Sequence, residues 1–142
     1  MPTRRASAVW EGGLQDGKGS VKTESGALTT GYSFGTRFGE TKGSNPEELL
    51  AAAEAACYAM ALSVALEKAG TPVKRVEAGA ACTIEKVNDA FKITRIKLTV
   101  RASVPGLSAD AFQKAASATK DGCPVSGAFK GNVEIDLDAA LI

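Results

Sequence analysis

Asn45-Pro46-Glu47-Glu48-Leu49-Leu50-Ala51-Ala52-Ala53-Glu54-Ala55-Ala56-Cys57 opens a run of helix-forming residues that continues to Lys68-Ala69-Gly70. Asn45 can cap the helix, Pro46 suits its first position and Glu48 can complete a capping box. Lys68, Gly70 and Pro72 supply the matching stop, so the run predicts one helix over 46–69. Between Leu49 and Leu66 almost every face is apolar or small, which a single sheet on one side cannot cover. The many alanines allow a second helix to approach closely, and no other segment of this chain is long enough to be that helix. The expected partner is a second copy of the chain, in a homodimer. The same run could be mistaken for a membrane span, but it is alanine-rich and carries Glu54 and Ser63, so it reads as the buried helix of a soluble protein with no membrane partner.

On the N-terminal side, residues 5–10 alternate and Gly17–Thr23 forms a second short run after a Gly-rich turn, a β-hairpin pattern. The Gly- and Thr-rich passage from Gly26 to Gly43, with Tyr32, Phe34, Arg37 and Phe38, reads as a short strand and then a loop. On the C-terminal side, Val76, Ala78, Ala80, Cys82 and Ile84 share one strand face, and Asn88-Asp89 turns the chain into a second strand. That strand changes phase, Phe91 and Ile93 against Ile96, Leu98 and Val100, which places a bulge near Thr94–Arg95. Ser108 caps a second helix ending at Gly122, with Leu107 and Phe112 as a hydrophobic staple, and Cys123-Pro124 restarts a short helical turn. Val133, Ile135 and Leu137 alternate with acidic residues in a last strand.

The 142 residues fit a single domain, 1–142, with 44% hydrophobic and 23% charged residues and a net charge of +1. Lys and Arg are scattered among Asp and Glu, with no basic tract, so nucleic acid is not an expected partner. The N-terminus lacks the apolar stretch of a secretory signal, which predicts a cytoplasmic protein. Three widely spaced cysteines suit neither a disulfide scaffold nor a common zinc site. There is no histidine, which removes Ser–His and Cys–His nucleophiles and every His-containing metal site. The remaining chemistry belongs to thiols, carboxylates, Lys, Arg and Tyr.

Cys57 falls mid-helix on the stripe Leu50, Ala53, Cys57, Met60, Ala61 and Val64, where it reads either as a core residue or as a thiol activated by a nearby cation. It is too far from the helix start for the dipole to acidify it. Cys123, between Gly122 and Pro124, stands where a helix cap favours a thiolate, or is simply a loop cysteine. Local physics alone therefore nominates Cys123 as the reactive thiol. Cys82 reads as structural.

The run from Asn45 to Ala53 and on to Cys57, with Gly122-Cys123-Pro124-Val125-Ser126, resembles the OsmC family of osmotically inducible hydroperoxide peroxidases. So do Trp10-Glu11-Gly12, Lys18-Gly19, Thr23-Glu24-Ser25-Gly26 and Thr36-Arg37-Phe38, and the likeness spans nearly the whole chain. It is closer to the OsmC branch than to the related organic-hydroperoxide-resistance branch. The resemblance implies an α+β fold with an antiparallel β-sheet wrapped around a long central helix, in an intertwined homodimer. It further implies a peroxidatic Cys57, a resolving Cys123, and functional roles for Arg37 and Glu47. Arg37 can supply the positive charge that the mid-helix position lacks. Glu47 and Cys57 stand ten positions apart on one helix, about 15 Å along its axis. Antiparallel helices across a dimer would bring them together, so each site is expected to combine both chains, with Glu47 orienting Arg37. The family often has His where this chain has Glu54, three residues before Cys57, and Glu54 is expected to point away from the thiol or to pair with a cation.

The implied activity is a cysteine-based peroxidase of oxidative and osmotic stress defence that reduces organic hydroperoxides, and hydrogen peroxide less well, through a Cys57 sulfenic acid and a Cys57–Cys123 disulfide. A lipoyl-like dithiol would reduce that bond. No cofactor, metal, haem or flavin is required. Leu50, Met60, Phe38 and Phe129 are candidates to line an apolar pocket. Two other readings remain open: a cysteine thioesterase, and a non-enzymatic redox-sensing or small-ligand-binding module.

Overall fold

Alternating side chains put Ala6–Glu11 (β1) and Lys18–Thr23 (β2) in extended conformation, and they pair antiparallel with Trp10 opposite Gly19. Thr29–Tyr32 (β3) adds to the other edge of β2. A Cβ on Gly19 would lie 2.5 Å from the Tyr32 ring and 2.7 Å from Trp10, so only glycine lets these two aromatics meet, at a centroid distance of 5.4 Å. The computed structural model describes residues Met1–Ile142, which form two compact units, Met1–Leu49 and Leu50–Ile142.

The first unit departs from expectation at the passage read as a loop, because Phe34–Phe38 forms a short helix (α1). Its cause is a capping box: the Thr36 amide donates to Ser33 Oγ at 3.3 Å, and the Ser33 amide to Thr36 Oγ1 at 2.8 Å. The Gly and Thr content hid that signal. The unit ends in the first turn of the long helix, Pro46–Lys68 (α2). Asn45 caps it as expected, its Oδ1 accepting from the Glu48 amide at 2.8 Å, while its own amide donates to the Thr36 carbonyl at 2.8 Å.

In the second unit, Arg75–Val87 (β4) and Ala90–Ser103 (β5) form a long antiparallel hairpin. Asn88 and Asp89 both take positive φ, 51° and 63°, as a tight primed turn requires. Thr83 pairs with Arg95 and Ile84 with Ile93, so Thr94 is the extra residue of a bulge at the expected place. Ala109–Gly122 (α3), capped by Ser108, and Pro124–Phe129 (α4) lead to Glu134–Leu141 (β6). One expected feature is corrected: β6 pairs parallel to β5, so the sheet is mixed. A helical crossover, not a tight turn, joins the two strands, and such a crossover returns the chain to run in the same direction.

Tyr58, Leu62 and Leu66 of α2 share a buried core with Leu98, Val100 and Ala102 of β5 and with Phe112 and Ala116 of α3. Lys120 Nζ reaches the Ile135 carbonyl at 3.5 Å, tying α3 to β6. The helix is apolar enough to cross a membrane by length and composition, yet beyond its first turn its buried residues fall at four-residue steps, Glu54, Tyr58, Leu62 and Leu66. On the stripe that carries Cys57, Met60 is 72% and Val64 46% exposed in the single chain.

Leu62→Ala should lower the unfolding free energy by about 2–5 kcal/mol, and Asn45→Ala by about 1 kcal/mol, both read from urea unfolding. A Leu62→Ala variant as stable as the parent would contradict the core assigned above.

Candidate active site

Gly122 ends α3, and Cys123 steps out of the helix with φ −65° and ψ 128°. Its amide donates to the Thr119 carbonyl at 2.8 Å, and its own carbonyl accepts from the Gly127 amide at 2.8 Å. The residue thus closes α3 and opens α4, and Pro124 fits the following position because no amide hydrogen is needed there. The Cys123 side chain makes no capping bond. It points instead at α2, where its thiol donates to Cys57 Sγ at 3.0 Å. The two expected thiols therefore meet, with no disulfide between them.

Cys123 is buried and Cys57 half-buried. Cys57 opens onto a cleft of about 740 Å³ lined by Met60, Ala61, Val64, Thr119 and Pro124 among others. Of the four side chains expected to line such a pocket, Met60 does; Leu50 and Phe129 are not in its wall. Phe38 belongs to a groove of the first unit, together with Trp10, Tyr32 and Arg37. Cys82 sits half-buried on the inner face of β4, as a packing residue would.

Burial, above all, pushes the Cys57 thiol above its ordinary value, and the contact with Cys123 adds to this. The Val125 amide acts in the opposite direction by donating to the sulfur, while negative charge on Cys123 or Glu54 raises it further. Nothing in this balance is a cation.

Glu54 corrects an expectation. It neither points away nor pairs with a cation; it is 0% exposed, and its Oε1 accepts from the Ser126 hydroxyl. Oε2 has no hydrogen-bond partner. The cause is helical geometry: Glu54 shares the inward stripe with Tyr58 and Leu62, four residues apart. Tyr58, one residue beyond Cys57, donates its hydroxyl to the Ala116 carbonyl at 2.8 Å, and burial raises its phenol. Ser126 was not singled out in the sequence. Its spacing from Cys123 equals that of Glu54 from Cys57, but the signal needs both helices in view.

In the first unit, Arg37 and Glu47 form a forked ion pair. Nη2 lies 2.7 Å from Oε1, and Nε 3.2 Å from each carboxylate oxygen. The Arg37 side chain keeps 35% of its exposure while that of Glu47 keeps 7%. The guanidinium also lies 5.2 Å from the Phe38 ring centroid. Buried Glu47 thus fixes one edge of a half-exposed arginine. No three His, Cys, Asp or Glu side chains gather as a metal ion would need.

Residues 39–138 match the model of the family described as OsmC-like protein. The chain is 43% identical over 134 residues to peroxiredoxin OsmC of Escherichia coli (strain K12), covering 94% of each chain. It is 31% identical over 123 residues to an organic hydroperoxide resistance protein of Xanthomonas axonopodis pv. citri, covering 85% of this chain and 82% of that one. Among solved structures, an organic hydroperoxide resistance protein from Elizabethkingia anophelis superposes with a TM-score of 0.81 at 27% identity, covering 100% of this chain and 98% of its own. OhrB of Bacillus subtilis superposes with a TM-score of 0.76 at 27% identity, covering 96% and 98%. By sequence and by fold, then, this chain belongs to the OsmC-like family.

Proposed function

We propose that the protein is a cysteine-based peroxidase whose single domain reduces organic hydroperoxides, and hydrogen peroxide less well, in the cytoplasm. The observation that carries this reading is the 3.0 Å approach of Cys57 and Cys123 at the edge of an apolar cleft. The names of its relatives, a peroxiredoxin and organic hydroperoxide resistance proteins, point the same way.

Cys57, as the thiol that opens on the cleft, is the peroxidatic residue. Its thiolate takes the terminal oxygen of the peroxide, breaking the O–O bond, and becomes a sulfenic acid while an alcohol leaves. Cys123, buried behind it, condenses with the sulfenic acid to form the disulfide and water. A lipoyl-like dithiol reduces the disulfide by exchange. The apolar wall at Met60, Ala61 and Val64 favours peroxides with an organic tail.

The surroundings of Cys57 oppose its charge, so the thiolate needs a cation from elsewhere. Arg37 is that cation, with Glu47 holding its guanidinium. The uncovered side of α2, with Met60 and Val64, supports a homodimer in which an Arg37–Glu47 pair from one subunit serves Cys57 of the other.

Mass spectrometry after one equivalent of tert-butyl hydroperoxide should find a Cys57–Cys123 disulfide. Cys57→Ser should abolish peroxide consumption and Cys123→Ser should stop after one turnover. Sustained turnover by Cys57→Ser would refute the assignment.

Arg37→Ala should move the pH profile of Cys57 alkylation upward, because burial then acts unopposed. Each unit of that shift lowers the thiolate fraction at neutral pH about tenfold. An unchanged profile would remove Arg37 from the site. Sedimentation at micromolar concentration should show a dimer, and a monomer would exclude the shared site.

A further inference from the structure

The short helix α4 has little of its own to hold it in place. It spans six residues, Pro124–Phe129, well below the length at which a helix persists unaided, and Gly127 inside it lowers its propensity further. A Cβ at Gly127, or at Gly122 just before the turn, would meet nothing within 4 Å, so neither glycine is there to admit a close neighbour. Cys123, the N-cap residue, makes no side-chain capping bond. The position of α4 is therefore set by what its first turn touches. Val125 packs against the core, and its amide donates to the Cys57 sulfur. Ser126 supplies the one side-chain hydrogen bond that leaves the helix, its hydroxyl donating to Glu54 Oε1 on α2.

Both partners of that bond are sealed, Glu54 at 0% and Ser126 at 3% exposure. No Lys or Arg pairs with the carboxyl, and its Oε2 is buried without a hydrogen-bond partner. A carboxyl so placed costs folding free energy, and an apolar side chain would serve the inward stripe of α2 better. What Glu54 supplies and an apolar residue cannot is an acceptor for α4. The bond lies about one helical turn from the sulfurs: Glu54 stands three residues before Cys57, and Ser126 three residues after Cys123.

We propose that the Glu54–Ser126 hydrogen bond is the positioning contact for Cys123, holding the first turn of α4 against α2 and so fixing the resolving thiol within bonding reach of Cys57. Its place in the reaction rests on the peroxidase reading given above. In the step concerned, the Cys123 sulfur attacks the Cys57 sulfenic acid. The S–S bond forms as the S–O bond breaks, and the thiol proton leaves with the hydroxide as water. The sulfurs stand 3.0 Å apart and must close to about 2 Å, and misplacing a reacting atom by about 1 Å can cost 10²-fold in rate. Glu54 and Ser126 exchange no proton in this step. They act only through the backbone that links Ser126 to Cys123.

Two measurements test this. In the first, the protein is mixed with one equivalent of tert-butyl hydroperoxide and quenched with dimedone at successive times, and sulfenic acid adduct and disulfide are counted by mass spectrometry. In the second, which needs no peroxide, equilibration in glutathione redox buffers gives the effective concentration of the two thiols toward each other. Glu54→Met combined with Ser126→Ala removes both polar partners together and leaves no buried group unpaired. This double variant should convert sulfenic acid to disulfide roughly tenfold to 10²-fold more slowly than the parent, accumulate adduct on Cys57, and lower the effective concentration by a similar factor. Ser126→Ala alone should do the same, while Glu54→Gln, which keeps a carbonyl for the Ser126 hydroxyl, should recover most of the rate. Parent-like conversion and effective concentration in the double variant would overturn the proposal. So would a Glu54→Gln variant as slow as the double one, because charge and not the contact would then matter. Equal slowing of sulfenic acid formation and of its conversion, as general loosening predicts, would overturn it too. A parent that consumes no peroxide, with the glutathione difference intact, would remove the peroxidase reading and leave the positioning contact standing.

Discussion

A helix that is apolar on nearly every side, in a chain that covers only one of its stripes, sets the terms for everything else in this protein. Glu54, Tyr58, Leu62 and Leu66 are sealed in, Met60 and Val64 are open, and Cys57 and Ala61 lie on the boundary between them. On the peroxidase reading proposed above, that boundary is where the reactive thiol has to be. One position further on, at Tyr58, a sulfur would be closed off from any substrate; at Met60 it would face away from the buried partner that Cys57 finds in Cys123. The steps of the α-helix convert a four-residue burial stripe into a single position that is both half-open and next to a second thiol.

The boundary position has an electrostatic consequence. Burial, a second thiol and a buried carboxyl all favour the neutral form of Cys57, against one helpful amide from Val125. On the peroxidase reading proposed above, the second unit therefore holds a nucleophile without activating it. The first unit holds the complementary element: an arginine whose geometry is fixed by a buried carboxylate but which keeps about a third of its side-chain exposure. A forked ion pair of this kind limits the rotamers of Arg37 and leaves part of the guanidinium for a further acceptor. Cys57 and the Arg37–Glu47 pair thus belong to different compact units of the chain.

Much of this was legible in the amino-acid sequence. Asn45-Pro46 and Gly70 bracket α2 because capping and stop signals act locally, and the phase change between Ile93 and Ile96 announced the bulge at Thr94 for the same reason. The short helix α1 was hidden because its capping box uses Thr36, a residue also common in loops. The parallel pairing of β6 was not legible, since alternation reports a strand's faces and not its direction. The meeting of Cys57 with Cys123 was visible only through resemblance, since no local signal relates two cysteines 66 positions apart. Glu54 was misjudged because a carboxylate in an alanine-rich helix is expected to seek water, and here the inward stripe overrides that preference.

The two contacts that join α2 to the start of α4 are spaced alike on both helices. Glu54 and Cys57 are three residues apart on one, Cys123 and Ser126 three apart on the other, and the pairs meet as Glu54 with Ser126 and Cys57 with Cys123. One rung of this ladder is polar and persistent, and the other is the pair of sulfurs. Because the polar rung already sets the register of α4 against α2, and Pro124 stiffens the backbone next to Cys123, the sulfurs begin at 3.0 Å and need close by only about 1 Å to bond. Neither helix has to unwind for that. On the peroxidase reading, the chain could then take up and release two electrons at this point with little change in its core, the Glu54–Ser126 contact holding α4 in register beside α2.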